Sequence, residues 1–404
     1  MRIPRQLRLV LTAAGVALAM VGGHLASAQD VAGPTLVADN AAAAANAGTL
    51  VANGLGAASA LSGKTVSLPP GFAISVLASG LKSPRFMAFD DAGSLLVADA
   101  GAGRVYRYPA ANGASAPTAQ PPDALLSGLN APSNVALHDG FVYVGETNAV
   151  TRYAYDAAAG AVGGRETVVP DLPTGGHGTR TVAFGPDGRM FVGVGSSCNI
   201  CDERDERRAA VLRYAPDGSG YERFAWGLRN PVGLAIQPGT GLLWATVNER
   251  DNQGNETPPD LVTIVAEGQN FGWPACQPPN ATRQDAGSDC FGVTPPTVAI
   301  QAHGAPLGLA FYQGPQLPFP SDYAGDLFVV QHGSWNRQPP APPKIMRIHF
   351  DGALPSRVQD FATGWQTGDG SRWGRPAGIV VAPDGGLVVS DDAAGVLYRI
   401  SYAG

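Results

Sequence analysis

The stretch 376-PAGIVVAPDGGLVVSDDAAGVLYRI-400 decides the fold. An apolar run leads into Pro-Asp-Gly, a second apolar run follows, and a polar turn precedes a third run ending in Arg-Ile. Turn residues between short alternating apolar runs are hairpin chemistry, because glycine supplies the backbone conformation that a tight turn needs. The same order recurs in 84-PRFMAFDDAGSLLVADAGAGRVYRY-108, 132-PSNVALHDGFVYVGETNAVTRY-153 and 180-RTVAFGPDGRMFVGVGS-196, the last closing at 211-VLRY-214. It recurs again in 231-PVGLAIQPGTGLLWATVNERD-251 with 261-LVTIV-265, and in 306-PLGLAFY-312 with 325-GDLFVVQHGSWNR-337 and 345-IMRIHF-350. The first three spacings between starts are 48 or 51 residues, and the two longer ones carry inserted loops. Units of roughly 40–50 residues with three or four short strands are propeller blades. The sequence therefore predicts an all-β, six-bladed β-propeller. The run 72-FAISVLA-78 precedes the first unit and is expected to supply the outer strand of the last blade. A sandwich or a barrel does not account for the period.

The chain has 404 residues, 45% of them hydrophobic, and a net charge of −6. That balance offers no basic surface for nucleic acid. Residues 1–28 carry Arg2, Arg5 and Arg8, then an apolar run from Leu9 to about Gly23, then Ala26-Ser27-Ala28. This is the pattern of a secretory signal peptide cleaved after Ala28. Its removal takes away three basic side chains and leaves 24 basic against 33 acidic, a net charge of −9. The run is short for a membrane span of roughly 20 residues, and no later segment is long and apolar enough. A periplasmic or secreted location is expected. Residues 29–65 are rich in Ala, Gly and Asn and read as a poorly ordered linker, so the catalytic domain is expected over 66–404.

Export implies an oxidising compartment, where cysteines pair. The four cysteines allow three connectivities. Proximity favours Cys198–Cys201, in a Cys-x-x-Cys, and Cys276–Cys290. A c-type haem site needs His after the second cysteine, and position 202 is Asp.

In a propeller, the residues just before each innermost strand converge at one mouth of the central channel. Those positions hold Asn130, His177, Arg180, Arg229, Asn230, His303, Arg372 and Arg375. Each alone reads as an ordinary loop residue. Together they describe a pocket for a small polyanion, since Arg recognises carboxylates in a bidentate way. A neutral His among positive charges is a natural general base. The loop 248-NERDNQGNETPPD-260 is dense in oxygen ligands suited to Ca²⁺, without EF-hand order. The loop 331-QHGSWNR-337 offers His332 or Arg337 to the same mouth, whereas 202-DERDERR-208 reads as a solvated insertion.

The ordered set 175-GGHGTRTVAFGPDGRMFVGVGSSCNICDERD-205, 226-WGLRNPVGLA-235, 267-EGQNFGWP-274, 331-QHGSWNR-337 and 374-GRPAGIVVAPDGGLVVSDD-392 resembles the glucose/sorbosone dehydrogenase family, most closely its sorbosone dehydrogenase branch. These are soluble six-bladed quinoproteins that use pyrroloquinoline quinone with Ca²⁺, and the likeness covers about residues 70–402. The resemblance implies His177 as the base that takes the proton from a sugar hydroxyl while hydride passes to the quinone. It implies Arg229 and Asn230 as cofactor contacts, with Arg229 near the reacting carbonyl, and Arg375 on a cofactor carboxylate. Asn130, His332 and Arg372 join the expected cofactor set, His332 near the place of a cofactor-binding Lys. Glu249, Arg250 and Asp251 fall where backbone carbonyls hold the cofactor's Ca²⁺. Ser196 stands where glucose-oxidising members keep the Asp that orients the base.

The expected function is oxidation of an aldose or sugar aldehyde, with a soluble or membrane electron acceptor. Two other classes compete. A calcium-dependent lactonase needs carboxylate and Asn ligands converging on a metal, and the channel candidates are mostly Arg and His. A non-catalytic sugar- or partner-binding propeller would be indifferent to loss of His177.

Overall fold

The computed structural model describes residues 35–38, 46–49, 61–110, 121–278, 281–282 and 290–404. The expected signal peptide lies outside them. Six mainly antiparallel sheets surround a central channel, and the described residues contain no α-helix; Ser321–Tyr323 forms a short 3-10 turn. No helix among them is long and apolar enough to cross a membrane.

The innermost strands are Pro84–Phe89, Asn134–His138, Arg180–Phe184, Pro231–Ile236, Pro306–Phe311 and Pro376–Val381, for blades 1 to 6. Each pairs antiparallel with the next strand in sequence, as the repeat predicts; in blade 5 the connection is the longer segment 312–326, which carries the 3-10 turn. Phe72–Ala78 pairs antiparallel with Val396–Tyr402 and completes blade 6, so the two ends of the domain are joined in one sheet. The stretch read from its composition as a linker contributes strands of its own. Leu36–Val37 lies parallel to Val298–Ala299 on blade 4, and Asn46–Thr49 pairs with Thr65–Leu68 at the edge of blade 5. Outer edges of blades have free backbone N–H and C=O groups, and a small-residue segment satisfies them without needing a core of its own.

Why the blades pack so closely is legible at particular small residues. A side chain at Gly145, Gly193, Gly233, Gly308 or Gly378 would collide with the backbone of the following blade, at Arg180, Pro231, Leu307, Ala377 and Arg85 respectively. Hydroxyls bridge the same seams. Ser133 Oγ donates to the Arg180 carbonyl at 2.9 Å, Thr246 Oγ1 to that of Leu307 at 2.6 Å and Ser390 Oγ to that of Arg85 at 2.6 Å. The apolar core fills the spaces between adjacent blades. A separate plug of Phe86, Val232, Leu307 and Ala377, from four innermost strands, closes the channel at its centre.

Candidate active site

Above that plug lies a cavity of about 290 Å³ whose wall includes Arg85, His177, Arg229, His303, His332 and Arg375. These residues come from five blades, and the propeller is what brings them together. A larger cleft of about 380 Å³ between the outer strands of blades 2 and 3 is walled by Val168, Val169, Pro170 and two tyrosines beside Asp205, Glu206 and Arg207. It lacks a histidine and a convergent set of cations, so the central cavity is the chemical candidate.

His177 sits in the loop before the innermost strand of blade 3. Its Nδ1–H donates to the Ser196 carbonyl at 3.0 Å and approaches Ser196 Oγ at 3.1 Å. The Ser196 hydroxyl proton is already given to the Cys198 carbonyl at 2.6 Å. Both Ser196 oxygens therefore accept from the ring, which fixes the proton on Nδ1 and leaves Nε2 as a lone pair. Burial, then the Arg229 guanidinium, lowers the His177 pKa to about 4, with the Ser196 carbonyl bond and Asp251 opposing and Arg180 assisting. The ring is thus neutral at pH 7. Arg180, fully buried, holds the loop from below by donating to the carbonyls of His177, Thr179 and Pro173. It shapes the loop rather than the cavity.

The expected carboxylate partner of the base is replaced by a main-chain carbonyl and a hydroxyl. Ser196→Ala removes only the weaker, shared half of that contact, a neutral hydrogen bond of about 1 kcal/mol. Turnover is expected to fall by less than about tenfold, measured as kcat against the parent protein.

Arg229, 3% exposed, is enclosed by oxygens. Nε donates to the Asn199 carbonyl at 3.2 Å, and Nη1 to the Asn248 and Glu249 carbonyls at 3.3 and 2.7 Å. Nη2 donates to Asn199 Oδ1 at 3.0 Å and Asp251 Oδ2 at 2.6 Å. A guanidinium has five N–H donors, so all of them are engaged. The other Asp251 oxygen accepts from Asn336 Nδ2 at 2.9 Å.

On the opposite wall, Arg85 Nη1 donates to Asp392 at 2.6 Å, and His332 Nε2 donates to the other Asp392 oxygen at 2.8 Å. Burial works to raise the Asp392 pKa, but His332 and Arg85 outweigh it and hold it at about 2. Burial lowers His332 to about 4 against the pull of Asp392. Arg375 donates through Nε to the His332 carbonyl and through Nη2 to that of Gly333, both at 3.1 Å. Its Nη1, and Nε and Nη2 of Arg85, have no hydrogen-bond partner among the described residues. His303, at φ 61°, donates to the Gly254 carbonyl at 2.6 Å.

Two expected cofactor contacts lie elsewhere. Asn130 is exposed and donates to Asn148 Oδ1 at 2.8 Å. Its backbone N–H is drawn instead to Glu146 at 2.7 Å. Arg372 bonds Gln366 and the Ser334 and Ala341 carbonyls, bracing the 333–341 loop from outside the cavity. Arg337 is taken up by Asn255, Glu256 and Pro339.

Of the expected Ca²⁺ loop, Glu249 and Asp251 line the cavity and Arg250 does not. The Arg250 guanidinium is buried on Glu249 and the Pro274 and Cys276 carbonyls. Ca²⁺ does not fit the loop as folded. The Asn248 and Glu249 carbonyls face the Arg229 guanidinium, and the Asp251 carboxylate is shared between Arg229 and Asn336. A divalent cation among those oxygens would meet a fixed positive charge. Calcium titrated into the protein alone is expected to give no binding heat at concentrations below about 1 mM, the weak end of calcium sites. Saturable binding in the micromolar range would show that the loop rearranges.

Several residues here have no signature in the sequence. Arg85 follows the Pro of blade 1 inside the innermost strand, at an irregularity in pairing between Pro84 and Met87. Asn199 was hidden in the Cys-x-x-Cys. Arg208, in the run read as a solvated insertion, is 8% exposed and donates to the Thr174 and Gly175 carbonyls beside His177. Both disulfides form as proximity suggested, Cys198–Cys201 and Cys276–Cys290. Asn230 Oδ1 and Asn248 Oδ1 are buried at the cavity wall without a hydrogen-bond partner, which marks acceptor positions for a ligand.

The sequence model of the TrAA12-like family matches residues 66–278 and 259–403. An uncharacterised protein of Borreliella burgdorferi is 30% identical over 220 residues, which is 53% of this chain and 57% of that protein. A pyrroloquinoline quinone-dependent sugar dehydrogenase of Hypocrea jecorina is 24% identical over 67% of this chain and 76% of its own length. The chain spans about half the length, 54%, of a pyrroloquinoline quinone-dependent pyranose dehydrogenase of Coprinopsis cinerea at 24% identity. Among solved structures, a Trichoderma reesei family AA12 carbohydrate-active enzyme superposes with TM-score 0.72 at 22% identity, covering 83% of this chain and 97% of that one. The quinone domain of the Coprinopsis pyranose dehydrogenase superposes at 0.71 with 22% identity, covering 84% and 97%. These likenesses bear out the six-bladed fold.

Proposed function

The chain belongs to the TrAA12-like family, and from that premise we propose that it is an oxidoreductase, a quinoprotein dehydrogenase that oxidises an aldose or sugar aldehyde with pyrroloquinoline quinone. The observation that carries the proposal is His177. It is a neutral base with its Nε2 lone pair left open, in a channel-mouth cavity shared with three guanidinium groups.

The residues present fit the quinone, a planar tricarboxylate. Arg375 and Arg85 keep N–H groups without protein partners, and these suit carboxylates. The unpaired Asn230 and Asn248 oxygens suit a ring N–H or sugar hydroxyls. Trp335, 72% exposed at the same cavity, offers an aromatic face to a sugar ring. The chemistry that bound pyrroloquinoline quinone supplies is two-electron acceptance from the sugar carbon. The protein's part is to place the sugar hydroxyl at His177 Nε2 and take its proton there. Ser196 then carries the ring through both protonation states, because its carbonyl accepts from Nδ1–H throughout. Arg229 keeps the ring neutral before the transfer and supplies a fixed positive field at the reacting end of the cavity.

Partial burial of His177 in a cavity whose floor includes the apolar Val232 and Leu307 limits water around the base. The cavity's carboxylates are all engaged, Asp251 by Arg229, Glu249 by Arg250 and Asp260 by the Glu249 and Ala305 N–H groups. That leaves none for a lactonase metal. Export through residues 1–28 and delivery of electrons to a soluble or membrane acceptor belong to the same proposal. Calorimetric titration of pyrroloquinoline quinone into the purified protein tests it. Saturable one-to-one binding is expected, weakened at least tenfold by Arg375→Met through loss of a charged hydrogen bond. No binding at all would end the proposal.

A further inference from the structure

The loop 198-CNIC-201 stands between the two groups on which the cavity depends. On one side, the Cys198 carbonyl takes the Ser196 hydroxyl proton at 2.6 Å and so turns the Ser196 oxygen into an acceptor for His177. On the other side, Asn199 binds Arg229 twice, through its carbonyl and Oδ1. The same Oδ1 accepts the Asp251 N–H at 2.8 Å, and Nδ2 donates to the Asp251 carbonyl at 2.9 Å. Trp273 Nε1 donates to the Asn199 carbonyl at 3.0 Å. One residue on blade 3 thereby holds the backbone N–H and C=O of Asp251 on blade 4 and two nitrogens of the guanidinium beside it. The Cys198–Cys201 disulfide closes this loop over a separation of three residues. Glu203 braces it from outside, accepting from Ser197 N at 2.6 Å and Ser197 Oγ at 2.8 Å.

An asparagine whose amide makes three hydrogen bonds, two to Asp251 and one to Arg229, has lost its rotamer freedom. A short covalently closed loop holds it there without relying on a hydrophobic core. We propose that Asn199, held by the Cys198–Cys201 disulfide, is the positioning residue of the cavity, setting Arg229 and Asp251 in one arrangement and, through Cys198 and Ser196, the ring of His177. Its consequence for turnover rests on the reading of His177 as the base, but the geometry does not.

The groups that face His177 are Arg229, Arg180 and Asp251, together with the Ser196 oxygens. If Asn199 fixes Arg229 near the ring, its loss must let that charge drift and the ring titrate higher. The test uses the full chain carrying Asn199→Ala, with Cys198→Ser/Cys201→Ser as a second variant. NMR follows the His177 ring against pH in the quinone-free protein, and calorimetry follows affinity for pyrroloquinoline quinone. Both variants are expected to raise the His177 titration midpoint towards the ordinary value and to weaken quinone binding by about tenfold, with a melting temperature close to the parent's. Asn199→Asp keeps the acceptor for Arg229 while losing the donor to Asp251, so it is expected to retain most of the quinone affinity, and it serves if the other two fail to fold. An unchanged His177 midpoint and unchanged affinity in the folded variants would overturn the proposal. If the parent protein binds no quinone, the dehydrogenase reading fails, and the His177 midpoint alone still decides the role of Asn199.

Discussion

His177→Asn is expected to lower kcat by roughly 10²- to 10⁴-fold, the contribution of a positioned general base, while quinone affinity stays within about threefold of the parent. The reason is geometric. Among the described residues the ring hydrogen-bonds only through Nδ1, and an Asn amide reaches the same Ser196 oxygens while offering no lone pair at the place of Nε2. Steady-state kinetics with a saturating sugar, beside a calorimetric titration of the quinone, separate the two quantities. The pH dependence follows from the same environment. Burial and Arg229 hold the folded pKa at about 4, below the ordinary value near 6.5. The basic form therefore persists down to about pH 4, and kcat/KM is expected to lose activity on the acid side only below about pH 5, not near pH 6.5. An acid limb centred near 6.5 would mean that the guanidinium does not act on the ring.

The second large effect is at Arg229. Replacing it with Met removes a cation from a site where five oxygens converge on it and leaves the Asp251 carboxylate with Asn336 alone. Breaking one partner of a buried pair costs about 3–5 kcal/mol, so the variant is expected to unfold at markedly lower denaturant. Quinone binding is expected to fall with it, since the walls of blades 3 and 4 are no longer tied. Arg375→Met is the contrast. Its side chain gives two 3.1 Å bonds to carbonyls and makes no salt bridge among the described residues, so a small stability loss accompanies a large loss of quinone affinity. Chemical denaturation of the two variants, side by side, measures the difference. Equal stability losses would show that Arg229 is no more structural than Arg375.

The fold was legible because its signal is local and repeated. Innermost strands begin at the Pro of blades 1, 4, 5 and 6 and at Arg180 of blade 3, where the repeat places them, and blade 2 begins two residues later, at Asn134. His177, Arg229, Asn230, His303 and Arg375 were legible as a set because repeat phasing converts a spacing near 50 residues into convergence at one mouth. Phasing does not resolve neighbours within one loop. Arg372 and Arg375 are three residues apart, and only the second reaches the cavity, because the chain between them is pinned by Trp373 N–H on the Trp365 carbonyl. Asn130 sits at an equivalent position, yet Glu146 draws its backbone aside. The orienting partner of His177 was invisible for another reason. A main-chain carbonyl leaves no residue type to find, and Ser196 looked like the absence of a carboxylate. The Ca²⁺ loop was read from its oxygens alone, without the guanidinium that uses the Asn248 and Glu249 carbonyls and the Asp251 carboxylate.

The most direct measurement is sugar-driven reduction of an artificial dye by protein loaded with pyrroloquinoline quinone, across a panel of aldoses and sugar aldehydes. Dye reduction that requires both quinone and sugar, and that His177→Asn abolishes while retaining bound quinone, is the expected result. Quinone bound in full, with no reduction by any sugar of the panel or with equal rates in parent and His177→Asn protein, would contradict it.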